Sequence, residues 1–370
     1  MTDLLRPPAQ AAAVVDLLKG FACSLIVLHH LAYYGPMSDY ADDLFPGIFD
    51  WLSQHGRLAV QVFLVLGGYL AAQRAVKAGF LPLSGQAAPG VADLCRQTVT
   101  SVVQRYLRLA VPLWLALILA VLCNALADHW IDHHSISAAP QLWQALLHVL
   151  MLQDIMGQEA LSAGIWYVAV DLQLFAMFMT MVALTQLTLY PRRNLVLLVM
   201  GLLTLSAFVF NRQPSWDVYA PYFWVSYGLG VVFGLKPQGG WLALAVALVV
   251  LSYVWEPRIR LLVALATAGM LWGWKGPLAA LMMSLSAACR TLSQISYSVF
   301  LVHFPIGLVV NALWVAFLPH QPLVQLIGVL TAFKLSLLGG WFFHVYLEQP
   351  LLMRVHTRLF VRANPHPLAS

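Results

Sequence analysis

The chain has 370 residues, of which 61% are hydrophobic and only 9% charged, and it carries a formal net charge of +5. A water-soluble domain has roughly 25% charged residues on average, so a soluble globular fold is excluded, and the apolar content recurs along the whole chain rather than in one anchor. The basic residues lie at the ends of apolar segments, which points to membrane topology and not to a nucleic-acid surface.

A spanning helix needs about 20 predominantly apolar residues. Ten candidates follow one another between polar breaks, at approximately 16–34, 57–75, 107–127, 165–188, 195–211, 221–235, 240–255, 259–274, 292–317 and 321–345. The first, in "VVDLLKGFACSLIVLHH" (14–30), has no small-residue cleavage site behind it and is expected to be retained rather than removed as a signal peptide. "QLWQALLHVLML" (141–152) is too short to cross and is expected at the interface or as a re-entrant segment. "KPQGG", "WEPR", "WKGP" and "PHQP" mark connections, and Pro350 is expected to stop the last helix. The expected architecture is an all-α integral membrane protein of about ten transmembrane helices. Residues 1–350 form the polytopic membrane domain and 351–370 a cytoplasmic tail, with no soluble domain and no internal repeat.

Charge orients the bundle. With the N-terminus inside, fifteen of the twenty basic residues fall at cytoplasmic ends, among them Arg6, Arg74, Arg192, Lys236, Lys275, Arg354, Arg358 and Arg362. Arg57, Arg212, Arg258 and Arg260 fall outside, and Lys334 lies within the last span. Both termini are therefore expected in the cytoplasm. Cys23, Cys95, Cys123 and Cys289 show neither a CxxC pair nor metal-ligand spacing and read as packing residues, so no metal is expected.

Several polar groups lie where a membrane tolerates few. Lys19 and His30 are eleven residues apart, which places them within about 20° of one helix face and about 16 Å apart along the axis. Lys19 then sits near the cytoplasmic surface and His30 deep in the bilayer, while Asp16 is spaced to pair with Lys19. His29 faces about 100° away from His30 and reads as a neighbour. "QRYLRLAVPLW" (104–114) puts Arg105 and Arg108 on one face, where two guanidiniums can clamp phosphates. "GIWYVAVDLQLF" (164–175) buries Asp171 and Gln173 behind Trp166 and Tyr167. "QISYSVFLVHFPIG" (294–307) carries Ser296, Tyr297 and His303, and "WFFHVYLEQPLL" (341–352) carries Glu348. Intramembrane ionisable groups mark function by default. The bland alternatives are a snorkelling lysine, structural histidines and ordinary positive-inside anchoring.

These motifs, in this order, resemble the membrane-bound acyltransferase 3 family over nearly the whole chain. The family's first-helix signature of a basic residue, ten residues and a histidine is met by Lys19 and His30. "GRLAVQVFLVLGGYL" (56–70) looks like its glycine-rich second helix, with Gly67 where a serine is common. Arg105 and Arg108 match its R-x-x-R pair. Trp166 is followed five residues later by Asp171 where glutamate is typical, and "SYSVFLVHFP" and "YLEQPLL" look like its last two helices.

The resemblance implies acyl transfer from a cytoplasmic acyl-CoA, usually acetyl-CoA, to a sugar hydroxyl of an extracytoplasmic or lipid-linked polysaccharide, in the bacterial cytoplasmic (inner) membrane. The donor is a substrate, so no permanently bound cofactor is expected. Arg105, Arg108 and Lys19 would hold the donor, and His30 would act as general base. Asp171 and His303 would orient His30 or meet the acceptor, with Trp166 and Tyr297 in the substrate site. Direct transfer and an acyl-histidine intermediate both fit. The partners implied are acyl-CoA, the glycan, membrane lipids and polysaccharide-synthesis proteins, with no nucleic acid. A non-catalytic glycan or lipid transporter, or a scaffold of a polysaccharide-synthesis complex, is the rival reading.

Overall fold

A chain this apolar must satisfy its own backbone hydrogen bonds, because the hydrocarbon core of a bilayer offers none. The computed structural model describes residues 9–81, 89–272 and 277–357, and every regular element among them is helical. Arg6, Lys275, Arg358 and Arg362, and the expected tail from residue 358 onward, lie outside the described residues.

In chain order the helices are α1 (Ala9–Tyr34), α2 (Pro36–Ala41), α3 (Ile48–His55), α4 (Ala59–Lys77), α5 (Val91–Asp128), α6 (Leu142–Leu150) and α7 (Trp166–Gln186). There follow α8 (Pro191–Phe208), α9 (Ala220–Leu235), α10 (Trp241–Trp255), α11 (Ile259–Leu271), α12 (Pro277–Phe317), α13 (Pro322–Phe343) and α14 (Gln349–His356). All ten expected spans are helices. Seven are long and apolar enough to cross a membrane, whereas α9, α10 and α11 are shorter apolar helices of 16, 15 and 13 residues. Large apolar side chains such as Ile118, Leu122, Leu198, Leu251 and Leu338 point outward, the surface a lipid-embedded bundle presents.

Three boundaries differ from expectation. The third and ninth spans start well before the apolar runs, at Val91 and Pro277. The last helix does not stop at Pro350: α13 passes through a π-helical turn, His344–Glu348, into α14. Pro350 falls in the first turn of α14, where a missing N–H is tolerated because the wider π turn has already shifted the bonding register.

The packing sets the site. α1 lies along α12, which also packs on α13 and α5, and α4 lies along α9. The α4–α9 contact is backbone to backbone. A Cβ at Gly68 would fall 1.9 Å from the Tyr227 carbonyl oxygen, and one at Gly230 would fall 2.0 Å from that of Val65, so only glycine permits this approach. α9 is correspondingly enclosed, with Trp224, Tyr227, Leu229 and Val231 buried. On the other side, His29 donates its Nδ1–H to the Leu52 carbonyl at 2.9 Å and so pins α1 to α3. α1, α4, α5, α7, α12 and the π turn thus surround one interior space.

Candidate functional site: a cation-lined cavity and a histidine couple

The interior space opens toward the end of the bundle where α1 begins. It is a cavity of about 220 Å³ lined by Lys19, Arg74, Arg105, Arg108, Asp171 and Glu348, with Tyr167, Tyr227, Tyr297 and Phe300 among its other walls. A second cavity of about 400 Å³ adjoins it and shares Arg74, Arg105, Arg108 and Phe175. Four cations thus face two carboxylates. Such a surplus of positive charge, against low-dielectric walls, attracts a polyanion.

Each cation is held differently. Arg105 donates from Nε (3.0 Å) and Nη2 (2.5 Å) to Oδ2 of Asp171, a pair with little exposure on the carboxylate side, and its guanidinium lies over the Phe175 ring at 5.6 Å. Asp171 was expected to orient His30 or contact the acceptor. The structure places it on Arg105 instead, since a carboxylate buried in a span needs a cation and α5 supplies one directly across from α7. Arg74 and Arg108 make no ion pair among the described residues and stand exposed at the cavity mouth. Lys19 also has no carboxylate within ion-pair distance among the described residues. Asp16, expected to pair with it, accepts from the Ser293 hydroxyl at 2.7 Å and lies 4.0 Å from Arg290. Glu348 accepts from the Ser298 hydroxyl and from Nδ1 of His344 (2.8 Å) within the π turn, which fixes a carboxylate opposite the arginines.

Pro112 lies inside α5 and deprives the Arg108 carbonyl of its helical donor. In the same opened turn, the Leu109 carbonyl accepts from the Tyr297 hydroxyl at 2.6 Å. Tyr297 thereby ties α12 to α5 while its ring lines the cavity. Trp166 packs on Phe223 with ring centroids 5.5 Å apart and meets Tyr167 edge-on. It does not line the cavity.

Beyond the cavity, toward the opposite end, His30 and His303 meet. Residues 273 apart in sequence place Nδ1 of His30 2.6 Å from Nε2 of His303. The ring planes are 9° apart and the centroids 4.9 Å, which with that short contact is an in-plane hydrogen bond rather than a face-to-face stack. The tautomers follow from the acceptors. Nδ1 of His303 lies 2.7 Å from the Phe300 carbonyl and 3.1 Å from that of Val299. A carbonyl only accepts, so this nitrogen carries the proton. Nε2 of His303 is then a lone pair that accepts the Nδ1–H of His30, and the lone pair of His30 is left on Nε2. His303 is 2% exposed, so the orienting ring is locked by packing while His30 remains half-buried.

His30 lines neither of these cavities. It borders a pocket of about 10 Å³ on the far side, with Tyr34, His303, Phe304 and Asn311. Tyr33 and Tyr34 extend this aromatic lining outward, Tyr33 being exposed. Of the residues that build the site, Arg74, Phe300, Tyr227 and His344 were not singled out from the sequence. Arg74 reads there as one more basic residue in a final turn, and only its position across from α5 distinguishes it.

The chain matches a family model described as an acyltransferase domain over residues 13–345. No curated protein matches it, and neither does any solved structure.

Proposed function

The chain belongs to the acyltransferase 3 family and is a multi-pass membrane acyltransferase, and on that footing we propose that it moves an acetyl group from acetyl-CoA to a sugar hydroxyl of an extracytoplasmic or lipid-linked polysaccharide. The feature that carries this reading is the His30–His303 couple, which leaves the basic nitrogen of His30 at Nε2, beside a cavity whose mouth is lined by arginines.

The donor's phosphates bind at Arg74 and Arg108, with Arg105 held in place by Asp171 and Lys19 adding charge deeper in. Guanidiniums suit this task because their planar forks bond phosphate oxygens two at a time. The pantetheine arm then runs along the cavity toward Phe300. The acceptor hydroxyl approaches from the opposite end, past Tyr34 and Phe304. Nε2 of His30 takes the hydroxyl proton as the oxygen attacks the thioester carbon. The C–O bond forms, the C–S bond breaks, and the proton passes to the departing sulfur, releasing coenzyme A as a thiol. The positive charge that develops on His30 is shared with His303 through their hydrogen bond. The same Nε2 is the atom that would carry the acyl group in a two-step route.

The sidedness rests on charge: Arg74, Arg105 and Arg108 line the cavity, and the positive-inside pattern supports a cytoplasmic position for its mouth. This reading sets the protein in a bacterial cytoplasmic membrane, alongside proteins of polysaccharide synthesis. Purified protein incubated with radiolabelled acetyl-CoA and a membrane glycan fraction tests it. Equal amounts of free coenzyme A and alkali-labile label on the glycan are expected. Glycan movement with no coenzyme A released would identify a transporter instead.

A further inference from the structure

The cation-lined cavity of about 220 Å³ and the His30 pocket are separate, and the partition between them is specific. The cavity wall nearest His30 consists of Phe300 and Tyr167, whose rings meet edge-to-face at 5.9 Å. Phe63 backs Tyr167 at 6.0 Å. Phe300 stands one turn before His303 and gives it the carbonyl that sets its tautomer. The third element is Gly164, in the approach to α7. A Cβ built there would lie 3.2 Å from Cε1 of His30 and 3.2 Å from both Cε2 and Cζ of Phe300. One point is therefore in tight contact with both ring edges, so Phe300 and His30 border the same narrow gap. Gly164 also has a φ of +80°, which favours glycine and keeps the gap free of any side chain.

The space at the partition is small. A single carbon standing at the Cβ position of Gly164 already lies 3.2 Å from both rings, closer than the roughly 3.5–4.0 Å of ordinary carbon contact. While Phe300 stands there, the gap beside His30 has no room for a propyl chain. We propose that Phe300, seated against Gly164 and Tyr167, is the specificity-determining residue for the acyl chain. It closes the donor cavity from His30 at rest, swings aside for the thioester, and admits only a short acyl group. This rests on the acyl-transfer reading above and adds to it the residue that sets chain length. The closed partition also keeps a bundle open to water at one end from conducting water and protons past His30.

Two experiments on the full-length protein decide it. The first compares wild type, Phe300→Leu and Phe300→Ala with acetyl-, propionyl-, butyryl- and hexanoyl-CoA, following free coenzyme A in the presence of the membrane glycan fraction. The butyryl-to-acetyl rate ratio should rise about tenfold or more in Phe300→Ala, the scale on which methylenes are discriminated in an apolar pocket, with Phe300→Leu between. An active Phe300→Ala variant with the wild-type ratio overturns the proposal. The second needs no activity. In a chain with Cys23, Cys95, Cys123 and Cys289 replaced by alanine, His30→Cys is treated in inside-out vesicles with a membrane-impermeant methanethiosulfonate. The thiol at position 30 should stay unlabelled with Phe300 present and become labelled in Phe300→Ala; equal labelling in both contradicts the gate. Absence of transfer from every acyl-CoA would sink the enzymatic reading, while the labelling result would still decide whether Phe300 closes the path.

Discussion

Replacing His303 with phenylalanine removes one thing with little change in volume: the acceptor for the Nδ1–H of His30. In the wild type that bond is 2.6 Å long, and the ring that accepts it is itself fixed by two backbone carbonyls. Without the acceptor, a buried N–H loses its partner, at a cost of about 1–3 kcal/mol. His30 also becomes free to carry its proton on Nε2, where it cannot act as a base. At about 1.4 kcal/mol per factor of ten in rate, kcat should fall roughly tenfold to a hundredfold. KM for acetyl-CoA should hold steady, because His303 does not line the donor cavity. His303→Gln supplies an amide oxygen as a substitute acceptor and should recover much of the loss. Initial rates of coenzyme A release, with donor concentration varied at saturating glycan, separate the two constants. Wild-type kcat in His303→Phe would refute the tautomer argument, as would a loss confined to KM.

The remaining predictions concern the donor cavity and its support. Arg108→Gln and Arg74→Gln each remove a cation that makes no ion pair among the described residues, so each should weaken acetyl-CoA binding by about tenfold, the worth of one charge-assisted contact, with the melting temperature unchanged. Arg105→Gln differs, because it strands Asp171 as a buried carboxylate. Breaking a buried pair costs about 3–5 kcal/mol, with a discount here for the partial exposure of Arg105, so a clear drop in melting temperature in detergent should accompany its loss of binding. Isothermal titration beside a thermal melt distinguishes the two cases, and identical behaviour of Arg105 and Arg108 variants would contradict the pairing described here. His148, on the short helix α6 outside the spans, donates Nδ1–H to the Gln144 carbonyl and accepts the Leu161 N–H on Nε2. Burial lowers its pKa from the ordinary histidine value, more than the Gln144 carbonyl raises it. Its contribution to stability is therefore present above about pH 6.5 and lost as the pH falls below that. The protection factor of the Leu161 amide, taken against its base-catalysed intrinsic exchange rate at each pH, should be lower at pH 5.5 than at pH 8; equal protection factors at both would refute this role of His148.

The helices were legible in the sequence because a spanning segment is defined by length and apolarity alone. What escaped was whatever depends on a partner distant in sequence. Asp171 announces that it needs a cation, but nothing local says that Arg105, 66 positions earlier, will be the one. His30 and His303 each read as deep histidines, yet their contact depends on α1 lying along α12. Arg74 gave no sign of its role because a basic residue in the last turn of a span is the ordinary topogenic pattern. Pro350 misled for a physical reason: the rule that proline ends a helix assumes an α register, and the preceding π turn changes that register. Gly164 and Phe300 were silent because a gap between two rings has no sequence signature.

In the proposed reaction one imidazole serves an acyl donor that enters from the basic end of the bundle and a hydroxyl that enters from the other. Reconstitution of the protein in one orientation, with labelled acetyl-CoA confined to the basic side and the glycan acceptor confined to the opposite side, measures this directly. Free coenzyme A should accumulate where the donor was placed and labelled ester should form across the membrane, in equal amounts, with both lost in His30→Ala. Label that reaches an acceptor only when both substrates share one side, or transfer that survives without His30, would contradict it.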